Sequence, residues 1–159
     1  MMRLQFRHQK FQSDAANAIC EVFNGQPFHS PTYMIDPGLG QIGLEDARSF
    51  TGFNNAPVVI GDDKILENIR NIQRSGQIKP SESLDGRYNL TVEMETGVGK
   101  TYTYIKTMYE LNKRYGWSKF IIVVPSFAIR EGVYKFFQIS QDYFTDVLGI
   151  RLLTVPMGR

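Results

Sequence analysis

Cysteine, histidine and tryptophan are nearly missing from this 159-residue chain, which has one Cys, two His and one Trp. A single cysteine, Cys20, excludes an internal disulfide framework and a cysteine metal cluster. Its neighbours Ala16, Ile19 and Phe23 fall on one apolar helix face, so a reduced, intracellular setting is expected. His8 and His29 have no acid or thiol at metal-ligand spacing, and no serine sits in a nucleophile-elbow pattern, which argues against hydrolases of those types. Long apolar runs are absent too. No stretch approaches the roughly 18 continuous apolar residues of a membrane span, and the amino terminus has no apolar signal core, so the expectation is a cytoplasmic protein with no membrane partner. There are no internal repeats and no low-complexity tracts.

What remains is the composition of one globular domain of ordinary size, 42% hydrophobic and 21% charged, with a net charge of +2. The charge is unevenly spread. Between Lys100 and Lys135 stand Lys100, Lys106, Lys113, Arg114, Lys119, Arg130 and Lys135 against Glu110 and Glu131, whereas the stretch from Asp36 to Glu95 is net acidic. A basic region of this kind suits polyanions such as nucleotide or nucleic acid, and equally a solvated helix surface.

At the head of the basic stretch lies Glu95-Thr96-Gly97-Val98-Gly99-Lys100-Thr101. It follows the apolar run Leu90–Met94 and opens an amphipathic stretch from Lys100 to Arg114, the order of strand, loop and helix that cradles a nucleotide. Gly97 and Gly99 let the backbone curl so that amides of Thr96, Gly97, Val98 and Gly99 face phosphate oxygens. Lys100 supplies a mobile charge for the outer phosphates, and the Thr101 hydroxyl a ligand for the accompanying Mg2+. The expectation is a nucleoside triphosphate site, the plainer alternative being a Gly-rich turn that caps the next helix.

Around this loop, apolar periodicity predicts a helix over 9–23 stopped by Asn24-Gly25, and a second running from a cap at Asp62 or Asp63 to Arg74 with Gly76 as its stop. Residues 26–57 read as a long loop, Val58–Ile60 as a short strand and 79–86 as a polar connector, which makes 26–86 an irregular insertion. From Tyr88 onward the pattern predicts strands at 90–94, 120–124 and 151–155 alternating with helices at 100–114 and 127–137, with a further short helix at 141–148. That order implies an α/β fold with a parallel sheet flanked by helices. Trp117 and Tyr102, Tyr104, Tyr109 and Tyr115 follow helical spacing and are expected to pack rather than to stack on bases.

The runs Met94–Asn112 and Lys119–Val133, together with the opening Phe6–Ala15, resemble the restriction subunit of type III restriction-modification enzymes, which belong to the superfamily 2 helicases. The similarity covers nearly the whole chain and is weakest from Gln26 to Gly86. Met94 stands where a generic phosphate loop has Gly or Ala, as in the type III subunits. The resemblance implies an incomplete first lobe of a RecA-like motor, with the acidic magnesium motif, the second lobe and the nuclease beyond Arg159, and so an amino-terminal fragment that is inactive alone. It implies ATP and Mg2+ as cofactors, and double-stranded DNA and a modification (methyltransferase) subunit as partners of the intact enzyme. Gln12 would read adenine, with Gln9 as runner-up and a solvent-facing helix position as the plainer alternative. Ser126 and Arg130 would touch the DNA backbone, Ser126 otherwise serving only as a helix cap. Two other readings stand beside the motor: a stand-alone P-loop kinase or small ATPase, and a non-catalytic nucleotide-binding or protein-interaction fragment.

Overall fold

A computed structural model describes residues 9–29 and 55–148. Among the described residues, four helices account for the regular structure: α1 (Lys10–Val22), α2 (Asp62–Ser75), α3 (Lys100–Tyr115) and α4 (Phe127–Leu148). They pack in the order α2, α1, α3, α4, so α1 and α3 form the centre.

Local chemistry sets the ends of α3. Gly99 precedes it and Gly116 follows it, both in the left-handed region at φ 86° and 77°. Gly116 closes the helix by donating its N–H to the Asn112 carbonyl at 2.8 Å, while Lys113 and Arg114 place positive charge in the last turn. A side chain at 116 would also run into the His29 backbone carbonyl, which fixes glycine there on steric grounds. For α2 the residue before the helix is Gly61, with Asp62 and Asp63 inside the first turn. The expected side-chain cap is therefore not seen. The two aspartates act on the positive end of the helix dipole instead.

Aromatic side chains fill the core. Between α3 and α4 lie Tyr102, Ile105, Met108, Tyr109, Phe137 and Phe144, with the Tyr109 and Phe144 rings stacked at 4.9 Å. A second cluster joins Cys20 of α1 to Leu111, Tyr115 and Trp117, with Phe23 edge-on to the Trp117 ring. Trp117 and the tyrosines at 102, 109 and 115 are buried, in keeping with a packing role. Polar ties complete the α1–α3 contact: Arg114 donates to Glu21 and Asn17, Lys106 to Ser13, and the Tyr115 hydroxyl to the Cys20 carbonyl. Amide side chains hold the segments around this centre. Gln26 donates to the Pro57 carbonyl and accepts from the Val59 N–H, Asn68 donates to the carbonyls of Val22 and Asn24, and Asn55 accepts from the N–H groups of Ser118 and Lys119.

The expected parallel sheet is not found. Among the described residues no strand occurs, neither at 58–60 nor at 90–94 nor at 120–124; the remaining expected strand, 151–155, lies outside them. A strand exists only when a neighbour takes its backbone N–H and C=O groups in a ladder, and among the described residues no such ladder joins these segments. Residues 90–93 instead form one wall of a cleft of about 600 Å³ whose other walls include Ile19 and Val22 of α1 and Ile69 and Ile72 of α2, and they stay exposed. Ile121 and Val123 project into solvent at 81% and 88% exposure. The apolar character that suggested strands is real, but among the described residues it is not used in strand pairing.

A second difference concerns the chain after Ser126. Where two helices were expected, α4 runs unbroken for 22 residues. No proline or paired glycine interrupts 137–141, and the Ser140 hydroxyl donates to the Phe136 carbonyl one turn back, which keeps its polar group satisfied within the helix. Phe137 and Phe144, two turns apart, then meet the same face of α3. Among the described residues no helix is long and apolar enough to cross a membrane, and no group of three or more His, Cys, Asp or Glu side chains could hold a metal ion.

Candidate nucleotide-binding site

The loop Glu95–Thr101 leads directly into α3, and its two glycines take the unusual backbone that the motif asks of them: Gly97 has φ 83° and Gly99 φ 86°. An L-residue held in that region costs roughly 1–2 kcal/mol. Gly97 has open space where a Cβ would stand, so conformation alone requires glycine there. At Gly99 both demands meet, because a Cβ would lie 2.6 Å from the Gln12 amide nitrogen.

Gln12 is the distant residue that structure brings to this loop. On α1 it is only 8% exposed, and its amide nitrogen donates to the Val98 carbonyl at 2.9 Å across 86 residues of sequence. A solvent-facing position is thus not what the chain adopts at Gln12. Gln9, by contrast, is the exposed residue preceding α1. Ser13, next to Gln12, accepts a hydrogen bond from Lys106 of α3, so α1 is pinned to the helix that the loop begins.

Lys100 reaches back over the loop, its ammonium 2.7 Å from the Glu95 carbonyl. Its charge is thereby held at the loop mouth while the side chain stays exposed. The first-turn amides of α3 have no acceptor within their own helix, and the macrodipole makes that end a favourable place for anions. Thr101, in the same turn, is half-buried. The ladder of ordinary helix begins at the end of this first turn, where Thr103 donates from its N–H to the Gly99 carbonyl.

Tyr104 stands three residues after Thr101 on α3. It packs against the α3–α4 core, yet its hydroxyl oxygen is buried without a hydrogen-bond partner. Burial pushes the phenol above its ordinary range, while hydrogen-bonding interaction with the Thr101 side chain pulls the other way. The i, i+3 spacing of Thr101 and Tyr104 was the available signal in the sequence.

Ser126 and Arg130 stand together at the start of α4. Ser126 caps the helix, its hydroxyl oxygen accepting from the Ile129 N–H at 3.3 Å. Arg130 lies over the Phe127 ring at 4.4 Å and donates to the Glu131 carboxylate at 3.3 Å, and its buried Nε has no partner. Both residues make these contacts within α4 and its cap.

Comparison with known proteins gives the arrangement a family. Residues 6–149 match the model of the family described as type III restriction enzyme, res subunit. Over 96 residues the chain is 38% identical to the Res subunit of the type III restriction-modification enzyme EcoP15I of Escherichia coli, which covers 58% of this chain and 10% of that relative. The EcoPI Res subunit of Escherichia phage P1 is 37% identical over 106 residues, 64% of this chain and 11% of its own length. The StyLTI Res subunit of Salmonella typhimurium is 52% identical over 62 residues, 39% of this chain and 6% of its own. The matched region therefore spans about a tenth or less of each of these relatives.

Proposed function

Since this chain belongs to the family of type III restriction enzyme res subunits, we propose that its loop 95–101 binds ATP as part of the motor that acts on DNA before cleavage. In the intact enzyme ATP hydrolysis drives translocation or switching on double-stranded DNA, and a modification subunit reads the recognition sequence. The observation that carries this reading is the Gln12–Val98 hydrogen bond, which ties a base-reading amide to the phosphate loop.

Each residue has a defined part. The amides of Thr96, Gly97, Val98 and Gly99, with the free first-turn amides of α3, face the phosphate oxygens. The Lys100 ammonium leaves the Glu95 carbonyl for the outer phosphates. Gln12 spends one amide hydrogen on Val98, so its second hydrogen and its oxygen can meet the donor and acceptor edge of adenine. For Mg2+ the fit is favourable: a hydroxyl beside phosphate oxygens at a helix amino terminus matches the hard oxygen donors this ion takes, and Thr101 would hold it. Mg2+, when bound, supplies charge neutralisation on the phosphates. Ser126 and Arg130 serve the nucleic acid, Arg130 through the charge-assisted donation to phosphate that guanidinium groups favour.

Equilibrium titration with ATP tests the site. Lys100→Ala removes the charge facing the outer phosphates and should weaken binding by at least about tenfold, a typical loss for a charged hydrogen bond. In the assembled enzyme Lys100→Ala and Thr101→Ala should each abolish ATP-dependent DNA cleavage with no loss of fold. Normal cleavage by either variant would show the loop to be structural.

A further inference from the structure

We propose that Tyr104 is a positioning residue for the Thr101 hydroxyl, holding its proton so that the oxygen's lone pairs face the magnesium ion of a bound nucleotide. This inference rests on the nucleotide-binding reading of loop 95–101. Helical side chains lean toward the amino terminus of their helix, so the phenol of Tyr104 points back over the turn that carries Thr101. The two residues lie three apart, the spacing that makes neighbours on a helix surface.

Two observations separate this from ordinary packing. A buried hydroxyl with no hydrogen-bond partner is unfavourable and uncommon, yet Tyr104 carries one among the described residues, whereas the Tyr115 hydroxyl at the far end of α3 is satisfied by the Cys20 carbonyl. And the side chain whose hydrogen bonding acts on the Tyr104 phenol is that of Thr101, although the pair falls short of a formed hydrogen bond. Turned toward the phenol, the Thr101 hydroxyl would be the donor and the phenol oxygen the acceptor. That choice leaves the threonine oxygen as a pure acceptor, the state in which it can serve a cation. Phenol at this position thus removes one rotor from the metal ligand at a site where the ligand must be preorganised.

The test compares Tyr104→Phe with the unmodified full chain, using a fluorescent non-hydrolysable ATP analogue titrated in Mg2+ and again in EDTA, with thermal melting alongside. Tyr104→Phe removes a single oxygen that has no partner, so the melting temperature should hold or rise. Affinity in Mg2+ should fall roughly three- to tenfold, the effect of one neutral hydrogen bond, while affinity in EDTA stays the same. Unchanged affinity in Mg2+ would overturn the role of Tyr104, and so would a clear drop in melting temperature, which marks a hydroxyl that holds the fold. Lys100→Ala is run in parallel. If it binds the analogue as the unmodified chain does, the nucleotide site itself fails; if it loses binding while Tyr104→Phe does not, only the Tyr104 inference fails.

Discussion

The two ends of the basic stretch contrast sharply. At its beginning, loop 95–101 and α3 are tied to α1 by Gln12, by Lys106 on Ser13 and by Arg114 on Glu21 and Asn17, with Tyr109 and Ile105 buried beneath. Further along, residues 121–129 present Ile121, Ile122, Val123, Phe127 and Ile129 to solvent. Apolar content is high in both. What differs is whether a partner stands opposite. Around the loop, α1 supplies one; beside 121–123 the described residues supply none, and the segment has no regular structure. Strongly apolar sequence therefore marks a surface meant for burial, and only the neighbouring element decides whether and how it is buried.

The contrast is most easily broken by truncating one side chain in each region. Tyr109 is 1% exposed and stacks on Phe144, so Tyr109→Ala should remove about 3–5 kcal/mol of stability in chemical denaturation. Val123→Ser should change stability by no more than about 0.5 kcal/mol. A large loss at Val123 would mean that this segment is packed after all.

Glycine substitutions sharpen the picture inside the loop. Gly97→Ala and Gly99→Ala both force a side chain into the left-handed region and should each lose roughly 1–2 kcal/mol. Only at Gly99 does the new methyl meet Gln12. Gly99→Ala should therefore also displace the Gln12 amide from the Val98 carbonyl, seen as altered amide resonances on α1 that Gly97→Ala leaves in place. Equal behaviour of the two variants would detach Gln12 from the loop.

These comparisons show where sequence was sufficient. The limits of α3 could be read almost to the residue, because Gly99 and Gly116 bracket an uninterrupted helical pattern with a basic last turn. The loop itself was legible from its glycines, lysine and threonine. α1 and α2 were also found, since their apolar periodicity depends only on the local chain. The sheet was not, because the apolar runs at 90–94 and 120–124 report a need for burial and say nothing about which neighbour meets it. The unbroken course of α4 is not legible locally, because the Ser140 hydroxyl is satisfied on the preceding turn only once the helix has formed. Gln12 illustrates the remaining gap: family resemblance singled it out, but its hydrogen bond to Val98 spans 86 residues and follows only from the packing of α1 on α3.

A smaller effect concerns Cys20, wholly buried between α1 and α3. Burial pushes its thiol from 9.0 up to about 12, with Arg114 opposing. A raised value in the folded state means that the stability this group contributes is complete below pH 9.0 and is lost as pH climbs toward 12. Iodoacetamide should leave Cys20 unmodified in the native protein at mildly alkaline pH and modify it once urea is added. Fast native-state alkylation would place the thiol at the surface.

The central claim is that Gln12 and loop 95–101 form one nucleotide site, and parallel titrations of ATP and GTP against the full chain and its Gln12→Ala variant test it most directly. The unmodified protein should prefer ATP, and the variant should lose roughly 1–3 kcal/mol of ATP affinity while its weaker GTP binding barely changes, because the phosphate contacts are untouched. Equal affinity of the unmodified protein for ATP and GTP, or an equal loss of both in the variant, would contradict the claim.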